Sequence, residues 1–192
     1  MRYYGNKVYF KILFFGTALA GKTTSLRWLY SNVIPRDMKM TSEIKSIETS
    51  FGQTLLFDFT PIQISPHIVV RLFTATGQDY YLSTRRMLFE DADGIFFVVD
   101  CQKKELEHNR EFVVEFNRYL DGSEKLRRSE IIILYNKIDL EDTYPARELG
   151  RLLNLEMYPG YEVSALKGIN LRESFIVMVR RLLERLEQEA RP

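Results

Sequence analysis

Gly16-Thr17-Ala18-Leu19-Ala20-Gly21-Lys22-Thr23-Thr24 is the stretch whose reading decides the fold. It reads G-x-x-x-x-G-K-T, the spacing of a phosphate-binding loop. That spacing answers a demand on the backbone. Several consecutive N–H groups must point into one concavity, and glycines at both ends permit the dihedrals this requires. A helix starting there turns the positive end of its dipole toward the same point. Lys22 then supplies a point charge for the outer phosphates of a triphosphate, and the Thr23 hydroxyl is placed to ligate Mg²⁺. Such a match arises by chance in roughly one chain per hundred of this length, so the flanks have to decide. Val8-Tyr9-Phe10-Lys11-Ile12-Leu13-Phe14-Phe15 is an apolar strand leading in; Leu26, Trp28-Leu29-Tyr30 and Val33 form a helical run leading out. Strand, loop, helix is the context the motif requires.

Working outward, the 192 residues are expected to form one domain, 1–192, large enough for a full core without staples. A net charge of +1 gives no indication of nucleic acid as a partner. The single cysteine, Cys101, excludes an internal disulfide and a cysteine-based zinc site, and it agrees with a reducing cytoplasm. No apolar run approaches the ~20 residues of a membrane span. Met1-Arg2-Tyr3 offers no myristoylation glycine and Arg191-Pro192 no prenylation cysteine, so no direct membrane anchor is expected.

The polar segment from Ile34 to Gln53 is long for a connection, and long loops are usually functional. Leu55-Leu56-Phe57-Asp58-Phe59 and Ile68-Val69-Val70-Arg71-Leu72-Phe73 read as an antiparallel hairpin joined around Ser65-Pro66-His67. A turn follows at Thr74-Ala75-Thr76-Gly77-Gln78, then a short helix over Ser83 to Glu90. From there strands alternate with helices: Gly94–Val99 ending at Asp100, a helix over Leu106 to Leu120, the strand Ile131–Tyr135, the strand Tyr161–Val163 and a helix over Leu171 to Glu189. In the last helix Leu171, Phe175, Val179, Leu182 and Leu186 mark a packed face. The pattern predicts a three-layer α/β fold of the P-loop NTPase type, with a mostly parallel six-stranded sheet, one antiparallel strand and helices on both faces. Ligands of such sheets lie beyond the carboxyl ends of the strands, and every polar motif falls just after a strand.

Asn136-Lys137-Ile138-Asp139 directly follows the Ile131–Tyr135 strand. A carboxylate at Asp139 can accept from both N1–H and the 2-amino group of guanine. Adenine offers neither donor and leaves the carboxylate unpaired, a mismatch of several kcal/mol. Alone the tetrapeptide reads as a helix-capping loop; after a phosphate loop on the same rim it reads as a base pocket. Ser164-Ala165-Leu166 adds a small-residue turn after the last strand, where a backbone N–H approaches the guanine O6.

With those motifs together the chain resembles the Ras-like small GTPases over essentially its whole length. Within them it looks most like the MglA-type GTPases of prokaryotes, on Lys22-Thr23-Thr24, Thr54-Leu55-Leu56-Phe57-Asp58-Phe59 and Thr74-Ala75-Thr76-Gly77-Gln78. The resemblance implies a molecular switch that binds GTP or GDP with Mg²⁺ and signals through loops around 34–54 and 74–86. It implies that the Gly77 N–H contacts the γ-phosphate and that Gln78 orients the attacking water, so that catalysis falls to Gln78, Lys22 and Gly77. Thr54 is the choice for the switch threonine on Mg²⁺, with Thr41 and Thr49 in the same loop as alternatives. It also implies an effector and a roadblock-type regulatory partner. Two other readings stay open: a P-loop ATPase or nucleotide kinase, and a non-hydrolysing GTP-bound scaffold.

Two departures stand out. Thr74 occupies the place of the usual magnesium-shell aspartate. Asp58 is a candidate replacement, weighed against a strand aspartate paired to a neighbouring Arg or Lys, which is the favoured account. Gln53 stands where MglA-like proteins can carry an arginine, so slow unaided hydrolysis is expected. Asp100 is expected to be structural, Cys101 an apolar filler, and His67 and His108 surface residues. Arg85-Arg86 read as a solvent-facing pair or a partner contact.

Overall fold

The computed structural model describes residues 1–48, 54–75 and 82–189. Its strands are β1 (Arg2–Tyr4), β2 (Lys7–Phe15), β3 (Lys45–Glu48), β4 (Thr54–Ser65), β5 (Ile68–Thr74), β6 (Gly94–Asp100), β7 (Glu130–Asn136) and β8 (Gly160–Val163). Its helices are α1 (Lys22–Asn32), α2 (Leu82–Phe89), α3 (Leu106–Asp121), α4 (Glu124–Arg127), α5 (Ala146–Leu152) and α6 (Leu171–Glu189). The strands form one sheet in the order β3-β4-β5-β2-β6-β7-β8, with β1 on β2. The expected set of six is β4-β5-β2-β6-β7-β8, in which only β4 runs antiparallel. Two short strands extend it. β3 pairs antiparallel with β4, inside what the sequence presented as a polar connection. β1 pairs antiparallel with Lys7, Val8 and Tyr9 of β2, ahead of Ile12, where β6 begins to pair.

Burial explains the order. All seven residues of β6 are buried, and six of the seven in β7, because both strands are apolar on both faces. One core cluster lies on one sheet face: Phe10, Ile12 and Phe14 of β2 with Leu26 and Leu29 of α1 and Leu171, Phe175, Met178 and Leu182 of α6. The other face sets Leu13 and Phe15 against Phe112, Phe116 and Leu120 of α3 and Leu149 of α5. Each fully buried Phe or Leu contributes about 1.5–3 kcal/mol over exposure, so the central strands fix the frame that carries the rim loops. In α6, Met178 takes a fully buried place over Gly94, where a Cβ would fall 2.6 Å from its sulfur. Val179 and Leu186, expected on that face, pack only at its margin. The sequence pattern also missed α5, a seven-residue helix whose buried residues are Leu149 and Gly150.

The parallel strands β2, β5, β6, β7 and β8 end on one rim, at Phe15, Thr74, Asp100, Asn136 and Val163. The polar motifs leave from those ends.

Candidate functional site

Both motif glycines are imposed by close approach. Gly16 leaves β2 at φ +144, and a Cβ there would fall 2.1 Å from the Val98 carbonyl oxygen of β6. Gly21, at φ +101, caps α1, and its Cβ would fall 2.2 Å from Asn136 Nδ2. Between them Ala18 and Leu19 face solvent, Leu19 at φ +60, a backbone region that non-glycine residues rarely take. Ala20 is buried beneath the loop. The Lys22 ammonium lies inside the loop, with Nζ donating to Gly16 O at 2.9 Å and to Thr17 O at 2.5 Å. Burial, followed by the positive charge of Arg85, holds its pKa down at about 7, against a smaller opposing pull from Asp58. Removed from water, next to another cation and bonded to neutral carbonyls, this ammonium is a ready partner for an anion.

On one side of Lys22 stands a hydroxyl–carboxylate cluster. The buried Asp58, on β4, accepts from Thr23 Oγ1 at 2.5 Å and from Thr74 Oγ1 at 2.7 Å, both through Oδ2. Its backbone N–H donates to the same Thr74 hydroxyl at 2.9 Å. A carboxylate therefore reaches the motif threonine from the middle of β4, across Thr74, although the usual position at the end of β5 carries a hydroxyl. Sequence reasoning favoured an Arg or Lys partner for Asp58; its Oδ2 accepts from the two threonines, and its charge also acts on Lys22. The signal lay in strand pairing, since Phe59 stands opposite Phe73 and puts Asp58 beside Thr74. Thr24 is exposed at the start of α1. Of the switch threonines, Thr41 has its hydroxyl on Glu43 O at 2.9 Å and near Thr60 Oγ1 at 3.3 Å. Thr54 begins β4 opposite Glu48. Thr49, Gly77 and Gln78 lie outside the described residues.

On the other side Asn136 joins three loops. Its Nδ2 donates to Ala20 O at 2.6 Å and its Oδ1 accepts from Ala165 N at 2.9 Å. Lys137, at φ +70, folds back to pair with Asp100. Asp139 lies on the loop beyond, 3.9 Å from Lys167 Nζ. Ser164 is buried, exchanges two backbone bonds with Ile169, and accepts from Lys167 N at 3.2 Å. Ala165 is buried and Leu166 is exposed at the mouth. Gly168, at φ +73, closes this turn over the Trp28 indole, leaving no room for a Cβ.

Asp100 is buried and pairs with Lys137, and it accepts from Gln102 N at 3.0 Å. Cys101 is a buried filler whose thiol burial pushes up to about 12. His67 and His108 are exposed, as expected. Arg86 is exposed, but Arg85 is 1% exposed and ion-paired to Glu115 of α3, so the two are not a solvent-facing pair. Among the described residues no cluster of His, Cys, Asp and Glu could hold a metal by itself. The donor set at Thr23 is hard oxygen, one hydroxyl backed by one carboxylate. That suits Mg²⁺ completed by phosphate oxygens rather than zinc. The buried lysine and the glycine-shaped cradle likewise fit a polyphosphate.

Fold and rim together define a small GTPase of the Ras-like class. Residues 2–188 match the ADP-ribosylation factor family, and the chain belongs to it. The mutual gliding-motility protein MglA of Myxococcus xanthus (strain DK1622) is 26% identical over 193 residues, covering 98% of this chain and 97% of that protein. The ADP-ribosylation factor-like protein alp41 of Schizosaccharomyces pombe is 25% identical over 170 residues, covering 85% and 81%. Among solved structures, the Arl6 BBS3 small GTPase of Trypanosoma brucei with the nucleotide analogue GppNp superposes with a TM-score of 0.69 at 18% identity, covering 92% of this chain and 99% of that one. At that identity it supports the fold alone. Among the described residues no helix is long and apolar enough to cross a membrane.

Proposed function

We propose that this chain is a single G domain, residues 1–192, that binds GTP or GDP with Mg²⁺ and hydrolyses GTP slowly. Gly16 through Thr24 hold the phosphates through backbone N–H groups, with Lys22 on the outer phosphates. Thr23 and Thr54 hold Mg²⁺, and Asp58 takes the part of the aspartate that Thr74 replaces, acting on the ion through the Thr23 side. The metal offsets charge on the β- and γ-oxygens when bound. Gly77 holds the γ-phosphate, Gln78 orients the attacking water, and the protein supplies position and charge without covalent chemistry. Asp139 reads the guanine edge, Lys137 lines the base pocket and the Ser164-Ala165-Leu166 turn brings a backbone N–H toward O6.

The observation that carries this proposal is Asn136, bonded at once to Ala20 of the phosphate loop and Ala165 of the base loop. One amide holds phosphate cradle and base pocket in a fixed relation, as a guanine nucleotide demands. Competition between guanosine and adenosine nucleotides tests it, and equal affinity for GTP and ATP rejects it. Asp139→Asn is expected to weaken GTP and favour xanthine nucleotides, whose C2 carbonyl needs a donor; an unchanged preference removes Asp139 from the pocket. With Gln53 where an arginine would act, single-turnover cleavage is expected below about one per minute without a partner. Similarity to a gliding-motility protein makes cell polarity or motility in the cytoplasm the setting to test, with a roadblock-type regulator and an effector as partners. A pull-down comparing GTP-loaded with GDP-loaded protein identifies them.

A further inference from the structure

Asp100, the last residue of β6, is buried and engaged on both carboxylate oxygens. Oδ1 accepts from Gln102 N at 3.0 Å and from Gln102 Nε2 at 3.2 Å. Oδ2 accepts from the same Nε2 at 3.2 Å and pairs with the Lys137 ammonium. The backbone of Asp100 is held separately, from α3. There the fully buried Asn109 accepts from Asp100 N through Oδ1 at 3.3 Å and donates from Nδ2 to Asp100 O at 2.8 Å. Neither the carboxylate nor the main chain of this residue is left to move alone.

The loop that carries Lys137 is sewn to the same place. Asp100 stands opposite Asn136 in the pairing of β6 with β7, and Cys101 N donates to Asn136 O at 2.9 Å. Where the loop ends, Tyr144 N donates to Cys101 O at 2.8 Å, and Gln102 bridges Thr143. Lys137 opens the loop at φ +70, a conformation that lysine rarely takes. A lysine stem is long and rich in rotamers, so in solvent it would sample many directions. Here its ammonium ends on a carboxylate that is itself fixed, which leaves the stem one course. Cohesion does not account for the arrangement. A buried ion pair is at best neutral against apolar side chains of similar volume, and β6 is otherwise apolar. What the pair supplies is a defined place for Lys137.

We infer that Asp100 is a positioning residue for guanine-nucleotide retention: it holds Lys137 ready beside the base and thereby slows nucleotide release. This inference rests on the function proposed above, in which Lys137 lines the base pocket.

Asp100→Asn keeps the shape and removes the charge that holds the ammonium. In the full chain it is expected to speed GDP dissociation about 3- to 10-fold, the scale of having to order one long side chain whenever the base binds. Displacement of a fluorescent GDP analogue measures the rate. Lys137→Met is expected to speed release at least as much. The combination decides: if Asp100 acts through Lys137, Asp100→Asn adds less than about two-fold in the Lys137→Met background. A carboxylate that only supports the fold would speed release by the same factor in both backgrounds, and that result overturns the inference. Release within about two-fold of wild type in folded Asp100→Asn overturns it as well. Should Asp100→Asn not fold, Gln102→Ala removes one amide from the carboxylate. It is expected to speed release about 2- to 3-fold, and only while Lys137 is present; no change overturns the inference. A wild-type chain without preference for guanosine nucleotides removes the functional proposal and this inference with it. A guanine-selective wild type with unaltered release in the variants removes this inference alone.

Discussion

The two sides of the nucleotide rim are held by opposite means. On the base side one buried amide, Asn136, bonds a backbone carbonyl and a backbone N–H, at Ala20 and Ala165. Backbone groups are always present, so the arrangement needs one particular side chain. On the metal side, the hydroxyls of Thr23 and Thr74 both donate to one carboxylate oxygen of Asp58. Each partner there can be exchanged, provided another restores the carboxylate, and here the carboxylate has moved from the end of β5 to the interior of β4. The base side is therefore constrained in sequence, whereas the metal side is constrained only in space.

The comparison is broken most readily at the group between the two sides. Lys22→Ala is expected to cut triphosphate affinity about 1000-fold, the scale of removing one partner from a buried charge pair. Equilibrium titration with a fluorescent GTP analogue checks it, and retention within a few-fold would remove the cradle from the site. On the base side, Asn136→Ala leaves Ala20 O and Ala165 N buried without their partner. The expected cost is about 2–4 kcal/mol of folding stability, read by urea denaturation without nucleotide. A loss below a few tenths would show that the loops are held in register by something else.

On the metal side the effect is smaller and more selective. Asp58→Asn keeps the shape and removes the charge. Mg²⁺ affinity of the nucleotide complex is expected to fall about 10- to 100-fold, the range for groups that orient a metal ligand. GTP affinity in the presence of a chelator should stay near the wild-type value, because the phosphates and the base keep their own contacts. Equal weakening with and without Mg²⁺ would make Asp58 a fold residue. Replacing Thr74 by Asp in the Asp58→Asn background sharpens the contrast: recovery of Mg²⁺ dependence would show that the two positions are interchangeable.

The same contrast explains what could be read from the sequence. Gly16, Gly21 and Asn136 were legible because backbone geometry leaves almost no alternative at those places; a Cβ at Gly21 would land on the Asn136 amide. The central strands were legible because β6 and β7 are apolar on both faces. Asp58 was only half legible, since its role depends on β4 and β5 pairing in one register. Arg85 was misjudged because charge suggests solvent, and its carboxylate lies thirty residues away on another helix. The strands β1 and β3 were missed for a related reason. Each is short and polar or exposed at the sheet margin, so pairing with β2 and β4 makes them strands, rather than any apolar pattern of their own.

The smallest expected effect concerns pH, and it also begins at Lys22. In the protein alone burial holds this lysine at about 7, well below its usual 10.5. A cation with a depressed folded pKa binds fewer protons in the folded than in the unfolded chain between those two values. Its burial penalty is thus fully present below pH 7 and fades as pH rises toward 10.5, so this group makes stability increase with pH across that window. Phosphate binding acts in the reverse direction, because the anion supplies the counter-charge that favours the ammonium. Nucleotide binding above about pH 7 must then take up a proton, and affinity should fall with rising pH by no more than about ten-fold per unit. Calorimetry at about pH 8 in buffers of different ionisation enthalpy measures the uptake directly. An uptake that persists in Lys22→Ala would assign the proton elsewhere; its disappearance would place the titrating group inside the cradle, between the metal side and the base side.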